Sequence, residues 1–195
     1  MVTSMDSLQN ESSVTYEDPD RTKWQNPSLV IDKLGNLADK TVADIGAGTG
    51  SFSFRLAREG AKVIAIDIEP EYLEYIDKRQ EESIVTPGNY PVETRLSEEN
   101  DPLLATAEAD VVMLVNTYTY LNDRIDYLEK VKRGMSDDGT IAIVDYKDAN
   151  NPVINDAVII IDPTTVADEL KQAGFSNVVI DRNSLQYQYI LTAKK

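Results

Sequence analysis

One short run, Val42-Ala-Asp-Ile-Gly-Ala-Gly-Thr-Gly50, constrains this chain more than any other. An apolar stretch carrying Asp44 leads into three alternating glycines, Gly46, Gly48 and Gly50. Glycine has no Cβ, so such a loop turns sharply and lets a ligand approach its backbone. The following residues, Ser51-Phe-Ser-Phe-Arg-Leu-Ala-Arg58, read as a helix. The loop therefore joins a strand to a helix N-terminus, where free N–H groups and the positive end of the helix dipole meet. In a βαβ unit that junction grips a nucleotide-like ligand.

The spacing separates ligand classes. The dinucleotide fingerprint is G-x-G-x-x-G. Here the pattern is G-x-G-x-G, with Ser51 where the third glycine of that fingerprint belongs. A second apolar strand, Ala61-Lys-Val-Ile-Ala-Ile-Asp67, ends in an acid close to the roughly 20-residue interval at which an acid takes ribose hydroxyls. A nicotinamide-dependent oxidoreductase is disfavoured by the spacing and by the missing histidine.

Composition removes whole chemistries. The 195 residues include no cysteine and no histidine, which takes away disulfides, thiolate metal sites and the usual zinc or haem ligands. Ser-His and Cys-His catalysis go with them, and no metal site is expected. A net charge of −15 makes nucleic acid a poor partner. No apolar run reaches the roughly 20 residues of a membrane span. Residues 1–13 lack the basic-then-apolar order of a signal peptide, so the expected compartment is the cytoplasm.

The chain length suits one domain. Residues 1–15, rich in Ser, Thr, Asn and Asp, read as a mobile tail. Residues 16–35 form an arm carrying Tyr16, Arg21 and Trp24, with a helix capped by Ser28 and running to Gly35. From 36 to 195 the pattern alternates. Strands are predicted at 41–45, 61–67, 91–96, 110–116, 139–145, 176–181 and 186–193; helices are predicted at 50–58, 70–82, 122–133 and 163–173. The third helix carries a stripe of Leu121, Ile125, Leu128 and Lys132, and the last starts at Asp162-Pro163 and stops at Gly174. Alternation implies a doubly wound, mostly parallel α/β sheet. The last two strands are too closely spaced for a crossover helix and should pair as an antiparallel edge hairpin. Residues 148–162 read as a lid or a short extra strand. Tyr187 and Tyr189 share a face and read as packing.

The acid before the glycines, the G-x-G-x-G spacing and the strand end Asp67-Ile-Glu-Pro70 together resemble the small-molecule branch of the class I S-adenosylmethionine-dependent methyltransferases. Ala109 to Asn116 resembles the family's fourth strand, and Tyr127 to Gly134 followed by Asp138 to Asp145 resembles its helix, glycine turn and fifth strand. The resemblance spans 36–195 and implies a Rossmann-like three-layer α/β/α sandwich of seven strands with S-adenosyl-L-methionine as cofactor. It implies that Asp44, Gly46, Ala47, Gly48 and Gly50 shape the methionine and ribose site and that Asp67 accepts the ribose hydroxyls. Ile68 would pack on adenine, and Glu98, or else Ser97, would meet the adenine amino group. Asn116 and Thr117 would border the methionine portion. Asn116 and Tyr118 are the expected catalytic residues, and Tyr16, Trp24, Tyr118 and Tyr120 the expected acceptor wall.

One departure matters. Many relatives carry two histidines where this chain has Thr119 and Tyr120. The expected function is therefore methyl transfer to a small molecule that needs no general base, such as a neutral amine, a carboxylate or an acidic phenol, achieved mainly through positioning. The alternative is a non-catalytic regulatory protein that binds S-adenosylmethionine or S-adenosylhomocysteine. The expected assembly is a monomer or homodimer, with a small-molecule acceptor as partner.

Overall fold

The computed structural model describes residues 19–81, 91–148, 151–154 and 158–195. The expectations for residues 1–15 and for Tyr16 lie outside them. Seven strands form one sheet: β1 Thr41–Ile45, β2 Lys62–Asp67, β3 Val92–Leu96, β4 Ala109–Val115, β5 Met135–Tyr146, β6 Ser176–Asp181 and β7 Gln188–Lys194. Their order is β3-β2-β1-β4-β5-β7-β6. β3, β2, β1, β4 and β5 run parallel, while β7 is antiparallel to both β5 and β6. The expected hairpin is present, with β7 lying inside the sheet and β6 at its edge. The central strands are Val- and Ile-rich without alternation because helices cover both faces.

The helices are α1 Pro19–Gln25, α2 Pro27–Asp32, α3 Ser53–Arg58, α4 Pro70–Glu81, α5 Arg124–Gly134 and α6 Pro163–Gln172. On one face Val30 and Ile31 of α2, Leu56 of α3 and Ile76 of α4 pack on Val42, Val63, Met113, Val144 and Ile190. On the other, Leu128 and Val131 of α5 and Val166 and Leu170 of α6 pack on Ile45, Ile64, Leu114, Ile143 and Leu191. This is the three-layer sandwich. The strand order reverses between β1 and β4, so their carboxyl ends open a crevice there.

Several boundaries differ from expectation, each for a local reason. The second helix begins at Pro27, because Asn26, not Ser28, accepts the Leu29 N–H and proline suits the first helical position. Pro19–Gln25 is helical where no helix was expected. The stripe on α5 is rotated: Tyr127, Leu128 and Val131 are buried and Ile125 is exposed. β5 starts early because buried Met135 pairs with Ala109, after which the register shifts before Thr140 meets Val111. Residues 151–154 and 158–162 contain no strand.

Candidate active site

The glycine loop closes with its own main chain. Gly46, Gly48 and Gly50 have φ of 74°, 53° and 76°, left-handed values that suit glycine. The Gly46 and Ala47 amides both donate to the Ile66 carbonyl, at 2.8 and 3.1 Å. A Cβ on Gly46 would stand 2.2 Å from Thr117 Oγ1, so the loops after β1 and β4 meet at a spot where only glycine fits. Behind the loop, Ser53 Oγ donates to buried Asp44 Oδ2 at 2.6 Å and ties α3 to β1. Burial pushes the Asp44 carboxyl up to about 6, against the lowering effect of the Ser53 hydrogen bond and with a smaller push from Asp67.

Asp67 faces into the crevice and is 8% exposed. Its Oδ2 accepts the Gly48 N–H at 2.8 Å and its Oδ1 accepts the Glu69 N–H at 3.1 Å. Burial raises its carboxyl above the ordinary range, and these backbone donors hold it partly down. Around it lies a cleft of about 190 Å³. Ile45, Gly46, Asp67 and Ile68 line it from β1 and β2; Ser97, Glu98 and Glu99 line it after β3; Thr117, Tyr120, Leu121, Asn122 and Tyr127 line it after β4.

The cleft thus gathers Gly46, Asp67, Ile68, Ser97, Glu98, Thr117 and Tyr120 from the expected set. Asp44, Ala47, Gly48 and Gly50 shape the loop but do not line this cleft. The sequence reading missed Glu99, Leu121, Asn122 and Tyr127. Tyr127 carried a signal, since it stands in the first turn of the helix that follows the fourth strand.

Three further expected residues, Tyr118, Asn116 and Trp24, do not line the cleft. Tyr118 is fully buried in the core between the sheet and α6, where its hydroxyl donates to Glu169 Oε2 at 2.6 Å. Burial, then that carboxylate, push its hydroxyl far above the ordinary phenol range. It does not reach the cleft, because the short 3-10 turn Tyr118–Tyr120 swings its ring inward and leaves Tyr120 at the rim, 67% exposed. Asn116 has φ of 56°, and its side chain is engaged: Gln188 Nε2 donates to its Oδ1 at 2.5 Å, and its Nδ2 donates to Tyr146 Oη at 3.3 Å. Trp24 stands over this corner, its ring centroid 6.1 Å from Tyr146 and 6.2 Å from Tyr187. Gln188 Oε1, fully buried there, has no hydrogen-bond partner among the described residues.

A family described as a methyltransferase domain matches residues 36–191. The chain belongs to that methyltransferase family. Among solved structures, this methyltransferase is similar to an S-adenosylmethionine-dependent methyltransferase from Aquifex aeolicus, with a TM-score of 0.80 and 25% identity over 96% of this chain and 95% of that one. A methyltransferase from Mesorhizobium loti shares the fold at a TM-score of 0.69 and 12% identity, covering 89% of this chain and 98% of that one. Phosphoethanolamine N-methyltransferase 2 from Haemonchus contortus, in complex with S-adenosyl-L-methionine, does so at 0.71 and 12%, covering 88% and 52%. No curated protein matches the chain in sequence. The cofactor of the methyltransferase is S-adenosylmethionine. The cleft fits it chemically: an inward carboxylate suits ribose hydroxyls, half-exposed Ile68 offers an apolar face, and the loop presents backbone rather than side chains. Among the described residues no group of His, Cys, Asp or Glu could hold a metal ion, and no helix is long and apolar enough to cross a membrane.

Proposed function

We propose that the protein methylates a small molecule, and that it works mainly by positioning. The observation that carries this reading is Asp67, turned into the crevice at the switch point and bonded to Gly48 of the loop. In this reading Asp67 takes the ribose hydroxyls, each through a charge-assisted bond worth roughly 1.5–3 kcal/mol. Ile68 packs on the adenine and Ser97 or Glu98 meets its amino group. Gly46, Ala47, Gly48 and Gly50, backed by Asp44, border the ribose and methionine with Thr117. When bound, the cofactor supplies an electrophilic methyl group on a sulfonium.

The acceptor lies towards the corner roofed by Trp24, with Tyr120 at the rim. Asn116 acts there as a fixed part of the floor, since Gln188 and Tyr146 hold its amide. Tyr118 takes no part in contact with substrate. Thr119 Oγ1 is bonded to the Ile159 carbonyl at 2.7 Å, and no imidazole stands in for it. Such a site suits a nucleophile that is already deprotonated or neutral, held in line at about 3–3.5 Å with water excluded.

The lost histidine positions favour a second reading, in which the protein binds the cofactor or its product without turnover. Both are tested by incubating the protein with methyl-labelled S-adenosylmethionine and a panel of amines, carboxylic acids and phenols. The catalytic reading expects label in at least one acceptor, with Trp24→Ala lowering transfer at least about 10-fold while S-adenosylhomocysteine affinity stays within about twofold. Binding without transfer to any acceptor supports the regulatory reading.

A further inference from the structure

Part of the cleft wall is held from outside the cleft. Tyr120, Leu121 and Asn122 line the cavity after β4. Tyr118 precedes this run and Arg124 follows it, and both reach the same carboxylate on α6. Tyr118 Oη donates to Glu169 Oε2 at 2.6 Å. Arg124 Nη2 donates to Glu169 Oε1 at 2.7 Å, and its Nε lies 3.1 and 3.0 Å from Oε1 and Oε2. The guanidinium carbon also stands 5.9 Å from the centre of the Tyr118 ring. Glu169 sits within α6, a helix that contributes no residue to the cleft, and its side chain is 13% exposed.

The segment needs holding. It enters α5 through Asp123, whose φ of 43° is left-handed and whose side chain makes no capping hydrogen bond. A non-glycine residue keeps such a backbone only where its surroundings impose it. Burial works against charge on Glu169, but the Arg124 and Tyr118 hydrogen bonds outweigh it and keep the carboxyl below its ordinary range. The carboxylate is therefore ionised at neutral pH, and a bidentate pair with Arg124 fixes direction as well as distance.

We propose that Glu169 is a positioning residue for cofactor binding: through Tyr118 and Arg124 it clamps both ends of the Tyr120–Asn122 wall while touching no ligand itself. The proposal rests on the cleft being the S-adenosylmethionine site. A loose wall would have to be ordered by the ligand at binding, at the expense of affinity.

The test measures S-adenosylhomocysteine affinity by calorimetry and amide hydrogen exchange over residues 118–124, below the lowest unfolding midpoint of the set. The set is the wild type, Glu169→Ala, Glu169→Gln, Tyr118→Phe, the Tyr118→Phe/Glu169→Ala double variant and Val166→Ala. Val166 is buried on the same helix and away from the cleft, so Val166→Ala lowers stability without releasing the clamp. The expected result is a loss of affinity of about 5-fold or more for Glu169→Ala, with faster exchange across 118–124. Glu169→Gln keeps one acceptor oxygen and should fall between it and the wild type. The double variant should bind no more weakly than Glu169→Ala, and Val166→Ala should stay within about twofold of the wild type.

A folded Glu169→Ala protein with unchanged affinity overturns the proposal, as does a Val166→Ala protein that loses as much. Should Glu169→Ala fail to fold, Tyr118→Phe and Arg124→Met each cut one arm of the clamp and carry the same expectation. A wild type that binds no S-adenosylhomocysteine refutes the cofactor assignment instead. The exchange measurement then still decides the clamp, which is overturned by unchanged exchange over 118–124.

Discussion

The loop after β1 and the corner beneath Trp24 lie at the same end of the sheet and are built from opposite materials. In the loop, Gly46, Gly48 and Gly50 remove side chains, and the contacts that fix it are main-chain amides on the Ile66 carbonyl and on Asp67. In the corner, three aromatic rings meet over Asn116 and Gln188, and side-chain amides carry the hydrogen bonds. The loop comes from nine neighbouring residues, 42–50, while the corner draws on α1, the residue after β4, the end of β5 and the start of β7 with the residue before it. A site made of backbone tolerates little change at any position. A corner made of side chains from several elements can change one contact without disturbing the loop.

Gly46→Ala puts that contrast under the heaviest load. A left-handed alanine costs roughly 1–2 kcal/mol and overpacking against Thr117 roughly 1–3 more, so denaturant unfolding should show a loss of about 2–5 kcal/mol. Adding Thr117→Ala removes Oγ1 and Cγ2 and should return part of the packing loss and none of the backbone loss. If Gly46→Ala is as stable as the wild type, the loop is not fixed in the way described.

The two halves also respond to pH at different points. Burial pushes Asp44 behind the loop up to about 6 and Asp145 at the end of β5 up to about 7. Asp145 Oδ1 accepts the Tyr146 amide at 2.8 Å and its carboxylate also takes the Thr119 amide, so it belongs to the corner side. Both folded-state values lie above the unfolded value, so the stability from these groups is complete below about pH 4. It is lost as pH rises through about 6 and then about 7. Urea unfolding between pH 5 and 8 should show a decline of about 4 kcal/mol, with Asp44 contributing over roughly one pH unit and Asp145 over roughly two, at about 1.4 kcal/mol each. Asp145→Asn should remove the upper part of it and leave the part due to Asp44. The acids held low, Glu108, Glu169 and Asp181, act below this window. A wild-type profile that rises with pH would contradict both assignments.

The smallest effect is the most selective. Asp67→Ala should weaken S-adenosylhomocysteine by about 10-fold or more by calorimetry, about 10-fold being the loss of a single hydrogen bond of about 1.4 kcal/mol. Trp24 is the only tryptophan, so its fluorescence reports the corner alone. That emission should be the same in Asp67→Ala as in the wild type. A shifted emission would mean that the halves are mechanically joined.

The loop, the alternation of strands and helices and the carboxylate at the end of β2 were legible in the sequence because each is written in consecutive residues. Glycine spacing and unbroken Val and Ile runs state backbone geometry directly. The direction of Tyr118 was not legible. Period-2 reasoning fails once Asn116 turns left-handed and the next residues wind into a 3-10 turn, and nothing near Tyr118 announces that Glu169 is its partner. Trp24 was legible only as part of an arm ahead of the first strand. Its seats on Tyr146 and Tyr187 depend on the strand pairing of β5 with β7. The early start of β5 at Met135 was hidden because the register shift lies in its partner's pairing and not in its own sequence.

The hydrogen bond from Gly48 to Asp67 has a consequence for how the cleft fills. In the proposed reading the group that greets the sugar also pins the loop, so the receptor is already in shape before anything arrives. Little chain entropy is left to lose on association, and the affinity is set by what the ligand desolvates and leaves behind in water, not by folding the protein around it.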